Sequence, residues 1–290
     1  ILVFLALLVA VAFGCAVPAT PDVASSVVTA AEDGMSASSA HFTLRYTDID
    51  QYDGYRTPSE RIDKAKRTLL FFEQAYARLY AALFAPLPLD EKLTVVVQGD
   101  SIRVPGRKTH GVGGRGGFRI TRWGLDASTI QHEMAHALHH TLVPGGRQTW
   151  FSEGLGMMAE HSLERRWAKT RLSRWVDRQL IDTGGRNLLQ DWGAARVMVR
   201  SIANGEYKAY VYSAYILTML RETYGNEFYQ RLFALMRRHA STIAASADQD
   251  AALIACMSVA SGEDPRSLFR DRYNFTVDDR AFELVFAEAA

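Results

Sequence analysis

Two histidines and a glutamate stand in the run His132-Glu133-Met134-Ala135-His136. Residues four apart on an α-helix lie one turn above each other on the same face. Two imidazoles so spaced can bind one tetrahedral zinc ion through nitrogens at about 2.0–2.1 Å. Glu133 falls about 100° round the helix from His132, beside such a metal rather than on it. A carboxylate there can take a proton from activated water and pass it to a leaving group. Catalytic zinc has three protein ligands and one open position. The candidate for the third is Glu153 in Trp150-Phe151-Ser152-Glu153-Gly154. Ser152 reads as the N-cap of a second helix, so that an antiparallel helix pair aims Glu153 at the histidines. Glu160, further along that helix, is the alternative ligand. His139 and His140 could each pair with His136, but neither pairing sets a glutamate directly after its first histidine. Both are assigned to supporting or surface positions.

The elements that must hold these residues can be read on either side. Ser128 and Gln131 have capping-box spacing for the motif helix. Ile130, Met134, Ala137 and Leu138 give it an apolar flank, and Pro144-Gly145-Gly146 stops it. Upstream, 41–47 alternates as a half-buried strand, with His41 a polar residue at its edge. Pro58-Ser59-Glu60 opens an amphipathic helix to about 84, with Ile62, Ala65, Leu69, Phe72, Tyr76, Leu79 and Leu83 facing the core. Pro86 and Pro88 end it, and 93–97 is a buried strand. The stretch 104–123 is rich in glycine but lacks the phosphate-cradling patterns. Arg103, Arg107, Lys108, Arg115, Arg119 and Arg122 make this region basic, which suits a solvated loop or a preference for acidic substrates. Downstream, 161–181 reads as a basic helix with a solvated face, 182–185 as a break, and 216–224 as a helix. Helices separated by polar turns fill 227–290, one of them started by Asp264-Pro265. The fold class is α+β, a small sheet beside the zinc helix with a mainly helical second half.

With 290 residues, nearly half of them apolar, the chain can bury a sizeable core. A net charge of +1 calls for neither nucleic acid nor an anionic membrane as main partner. Two cysteines, Cys15 and Cys256, make no disulfide framework, and Cys256 in its apolar run reads as a small buried hydrophobe. Residues 1–13 are almost wholly apolar, as in the h-region of an export signal. Ala12-Phe13-Gly14-Cys15 has the outline of a bacterial lipobox, so Cys15 is a candidate for lipidation and membrane anchoring. Cleavage after Val17-Pro18-Ala19 is the competing outcome. The expected organisation is an export signal at 1–15, a flexible tether at 16–40 and one domain at 41–290.

The H-E-x-x-H helix followed by W-F-x-E-G resembles the gluzincin metallopeptidases, in particular the peptidase MA-like branch. The gap from His136 to Glu153 is slightly shorter than in the zinc aminopeptidases. The resemblance implies an exported hydrolase of peptides or proteins, with Zn2+ held by His132, His136 and Glu153 and with Glu133 as general base. It implies a tyrosine at the start of a later helix that donates to the oxyanion. Counting back from Leu220 and Gly225 puts this at Tyr210, with Tyr212 as runner-up. It also implies that the strand before the zinc helix, 117–121, is the sheet edge along which substrate backbone pairs. No G-A-M-E-N-like motif for a free amino terminus is present, which speaks against an aminopeptidase. Two other functions fit the same residues: a zinc-binding cell-envelope protein that cleaves nothing, and a hydrolase of non-peptide or peptidoglycan amide bonds.

Overall fold

Alternation of buried and exposed side chains builds the centre of the sheet. Strands β1 (Thr29–Ala30), β2 (Ser36–Ser38), β3 (Phe42–Tyr46), β4 (Leu93–Val97), β5 (Ile102–Val104), β6 (Arg107–Thr109), β7 (Gly111–Gly114) and β8 (Gly117–Ile120) are those of the described residues. In this computed structural model these residues are 28–104, 107–143, 148–162, 189–190, 192 and 205–290. Six of the strands form one mixed sheet in the order β1-β2-β3-β4-β8-β7, and β5 and β6 form a separate hairpin. The pairs β3/β4 and β4/β8 are parallel, and the outer pairs are antiparallel. Register places Leu44, Val95 and Phe118 side by side on one face, with Tyr46, Val97 and Ile120 beyond them. All six are buried. Thr94, Arg45 and Arg119 alternate onto the opposite face and are exposed, the pattern of a sheet covered on one side.

Helix α1 (Pro58–Leu79) covers that face. Thr57 caps it, its side chain accepting from Glu60 N while the Glu60 carboxylate accepts from Thr57 N. Leu69, Phe72, Tyr76 and Leu79 point inward, and the ring of Phe72 meets those of Phe42 and Phe118. A π-type turn at Tyr80–Phe84 extends the helix as far as the sequence indicated. Helix α2 (Ala127–Leu142), which carries the H-E-x-x-H run, packs on β7 and β8. Helix α3 (Thr149–Ser162) lies between α2 and α4 (Gly205–Tyr224). The second half continues with α5 (Asn226–Arg238), α6 (Ala240–Ala245), α7 (Gln249–Ser261) and α8 (Asp279–Ala289). Helix α7 is apolar all round, and Ala251 to Met257, including the free thiol of Cys256, are buried, as befits a central helix. The fold is α+β, as expected.

Several local expectations are corrected. Of the stretch expected to be a tether, 16–40, the described part 28–40 carries β1 and β2: β2 pairs with β3 and β1 with β2, since backbone pairing needs no apolar side chains. Asp126 rather than Ser128 caps α2, accepting from Thr129 N at 2.9 Å. Ser152 is not an N-cap: α3 begins at Thr149, and Ser152 N already bonds Gln148 O. The helix at 216–224 starts earlier, at Gly205. Asp264-Pro265 does start a helical stretch, but a short one: Arg266 and Ser267 lead into a π-type run at Leu268–Arg272, with Phe269 N on Pro265 O. The sheet edge beside the motif helix is β7, since β8 lies between β4 and β7. The export signal with Cys15, the helix at 161–181 and the break at 182–185 lie outside the described residues, apart from positions 161 and 162 at the end of α3.

Candidate metal centre

The four-residue spacing on α2 sets the His132 and His136 rings 4.8 Å apart, centroid to centroid. Their Nε2 atoms are 3.0 Å from each other. From α3, Glu153 Oε2 lies 3.3 Å from His132 Nε2 and 3.2 Å from His136 Nε2. These three are a group of donors able to hold a metal ion. Ligands about 2.05 Å from a tetrahedral ion stand about 3.3 Å apart, close to the sides of this triangle. Lone pairs of two imidazoles and a carboxylate converging so tightly repel unless a cation or a proton stands among them. The donor set therefore fits zinc.

Each histidine of the triangle is held from behind. His132 Nδ1 faces the Glu160 carboxylate at 3.5 Å, and Ser128 Oγ bonds the same Oε1 at 3.1 Å. Glu160 thus reaches the far nitrogen of His132 rather than the donor triangle. In the tautomer that frees His136 Nε2 as a donor to metal, Nδ1–H donates to Ser152 Oγ at 2.9 Å. The Ser152 hydroxyl then donates to His140 Nε2 at 3.0 Å. Carboxylates and hydroxyls on the second nitrogen orient a ligating ring and raise its basicity. His139 is fully buried and packs edge-on against Phe151; His140 lines the cavity.

Two backbones come close enough to need glycine. On β7, Gly111 and Gly113 face α2, because they pair with the core-facing Ile120 and Phe118. A Cβ on Gly113 would stand 2.4 Å from Glu133 O and 2.6 Å from His136 Cβ; one on Gly111 would meet Glu133 Oε1 at 2.5 Å. On α3, a Cβ at Gly156 would lie 2.7 Å from His132 Nε2. The absent side chains are what let strand, motif helix and ligand helix converge.

Burial shapes the charges. Burial raises the pKa of Glu133, against the pull of His136 and His132 and a hydrogen bond from Gly113 N. Burial also works against the charge on Glu153, yet the two imidazoles outweigh it and hold this carboxyl far below the usual range. For His132 burial lowers the pKa, but bonds to Glu153 and Glu160 carry it up to about 10. A strongly held positive charge is what the triangle favours.

A cavity of about 790 Å³ opens over the triangle, lined by Glu133, the three donors, Tyr210 and the β5–β6 hairpin among others. Tyr210 on α4 sets its ring 6.2 Å from that of His132 and edge-on to Trp192. Tyr212, the runner-up, is buried and turns its hydroxyl to Tyr273 O at 3.4 Å, away from the cavity. His110 also lines the cavity, with Nδ1 on Thr121 Oγ1 at 3.1 Å. The supporting roles of Ser128, Ser152 and Glu160 escape sequence reasoning, since each needs the α2–α3 packing to acquire a partner.

Compared with known protein families, curated proteins and solved structures, the chain matches none.

Proposed function

We propose that this protein is a zinc-dependent hydrolase of peptide bonds, of gluzincin type and peptidase MA-like. The observation that carries the reading is the donor triangle of His132, His136 and Glu153, with Glu133 beside it in an open cavity. A structural zinc site closes all four positions with protein ligands; here three donors face open space. Zinc held there supplies Lewis acidity, polarising a scissile carbonyl and lowering the pKa of a water molecule. Glu133 takes the proton of the attacking water and returns it to the leaving amine. Its raised pKa suits both halves of that task. The Tyr210 hydroxyl donates to the oxyanion, a contribution typically worth about 10²–10³ in rate. Strand β7 is the sheet edge among the described residues, and an extended peptide pairing there would take over the outward groups of Gly111 and Gly113 that Thr109 and Glu133 engage. We infer export to the cell envelope from the apolar run at 1–13 and the Gly14-Cys15 junction, with lipidation of Cys15 and cleavage after Ala19 as its two alternative outcomes.

Metal analysis and a peptide library test the reading together. The purified chain is expected to carry close to one zinc and to cleave library members. Glu133→Gln keeps the zinc and loses turnover by about 10²–10⁴-fold. A wild type that holds zinc and cleaves nothing would instead be a zinc-binding envelope protein. Equal turnover in Glu133→Gln would remove the proposed base.

A further inference from the structure

Lys108 is, among the described residues, the one lysine or arginine lining the cavity. It sits on β6 of the β5–β6 hairpin, which also brings Val104 and Thr109 to the lining. Register puts Lys108 directly opposite Arg103, so both side chains leave the same face of the hairpin. Both are exposed, and among the described residues neither has a carboxylate partner. Like charges directly opposite on paired strands destabilise the pair. This repulsion falls when an anion bridges them. Arg122 of the same basic stretch, by contrast, is ion-paired with Asp53 and Asp100.

We propose that Lys108, with Arg103 behind it, forms an anion subsite of the cavity that selects substrates bearing a carboxylate near the bond to be cleaved. The carboxylate can come from an acidic side chain or from the chain end. The inference rests on the hydrolase reading for its substrate, but its geometry is independent of the donor triangle. A rim cation of this kind changes affinity modestly, by about fivefold.

The test uses zinc-loaded Glu133→Gln protein and short fluorescein-labelled peptides, with binding followed by anisotropy. One arm moves a single Glu, against Gln, through the peptide; the other compares a free C-terminal carboxylate with its amide. At least one carboxylate is expected to tighten binding about fivefold. Lys108→Gln brings that ratio close to one, Lys108→Glu reverses it, and Arg103→Gln lowers it partway. The arm that responds identifies the source of the carboxylate. No discrimination in either arm, or discrimination that survives Lys108→Gln, overturns the subsite. Wild-type cleavage of the same peptides separates the two readings. Cleavage without carboxylate preference removes the subsite alone, whereas preference without cleavage removes the hydrolase and leaves the subsite.

Discussion

At the scale of single residues, the chemistry lies in who stands behind each donor. Glu153 presents its oxygen to both Nε2 atoms, whereas Glu160 faces the opposite nitrogen of His132. Removing either carboxylate therefore has different consequences. Glu153→Gln is expected to lower zinc affinity by several orders of magnitude. Glu160→Gln and Ser152→Ala should each lower it about 10–100-fold, the usual effect of losing a partner of a ligating histidine. Competition with a chromophoric chelator measures all three; equal losses for Glu153 and Glu160 would make both of them ligands. The motif histidines and Glu153 were legible because helical periodicity alone brings 132 and 136 together and the W-F-x-E-G run marks the ligand helix. Glu160 was legible only as an alternative ligand, since sequence spacing does not say which nitrogen a carboxylate meets. Tyr210 and Tyr212 could not be separated, because their sorting depends on how α4 is rotated against α3 and Tyr273.

At the scale of elements, alternation revealed β3, an apolar run revealed β4, the family resemblance placed β8, and amphipathic spacing revealed α1. The strands that escaped have little side-chain pattern to show. Strands β1 and β2 are short and built of Thr, Ala and Ser, and β7 reads Gly-Val-Gly-Gly. The structure turns two of these glycines toward α2. Gly113→Ala should destabilise the fold by about 1–3 kcal/mol, since backbone on α2 must yield to the new methyl. Gly114→Ala meets nothing within 4 Å, and its lower unfolded-state entropy should leave stability unchanged or raised by up to about 1 kcal/mol. Urea denaturation distinguishes the two; equal midpoints would deny the close contact between β7 and α2.

At the scale of the molecule, the donors of the triangle come from α2 and α3, which join the sheet to the helical half. Trp150 Nε1, on α3, bonds Asp250 Oδ1 at 2.8 Å, so the ligand helix is tied to α7 as well. This organisation was legible only as a division into sheet-bearing and helical halves, because tertiary packing such as that of α3 on α4 leaves no periodic trace. Zinc should bind the folded chain far better than the unfolded one. At free zinc about 1,000 times its Kd, stabilisation of about 4 kcal/mol is expected, or a rise in Tm of about 10 °C. Calorimetry with and without a chelator checks it, and an unchanged Tm in a zinc-loaded sample would mean that the metal sits outside the folded core.

The glycines of β7 also govern how this part of the sheet breathes. An edge strand with three glycines in four residues has few apolar groups of its own, and is held by its ladder to β8 on one side and by the close backing of α2. Its amide hydrogens should exchange with solvent ahead of those in β3 and β4, through openings that leave the rest of the fold intact. An extended peptide laid along the outer side would replace the bonds that Thr109 and Glu133 make to Gly111 and Gly113 with a full ladder, and slow that exchange. Under the proposed function, substrate uptake is then a last step of folding, and the sheet reaches its full width only while it holds what it will cut.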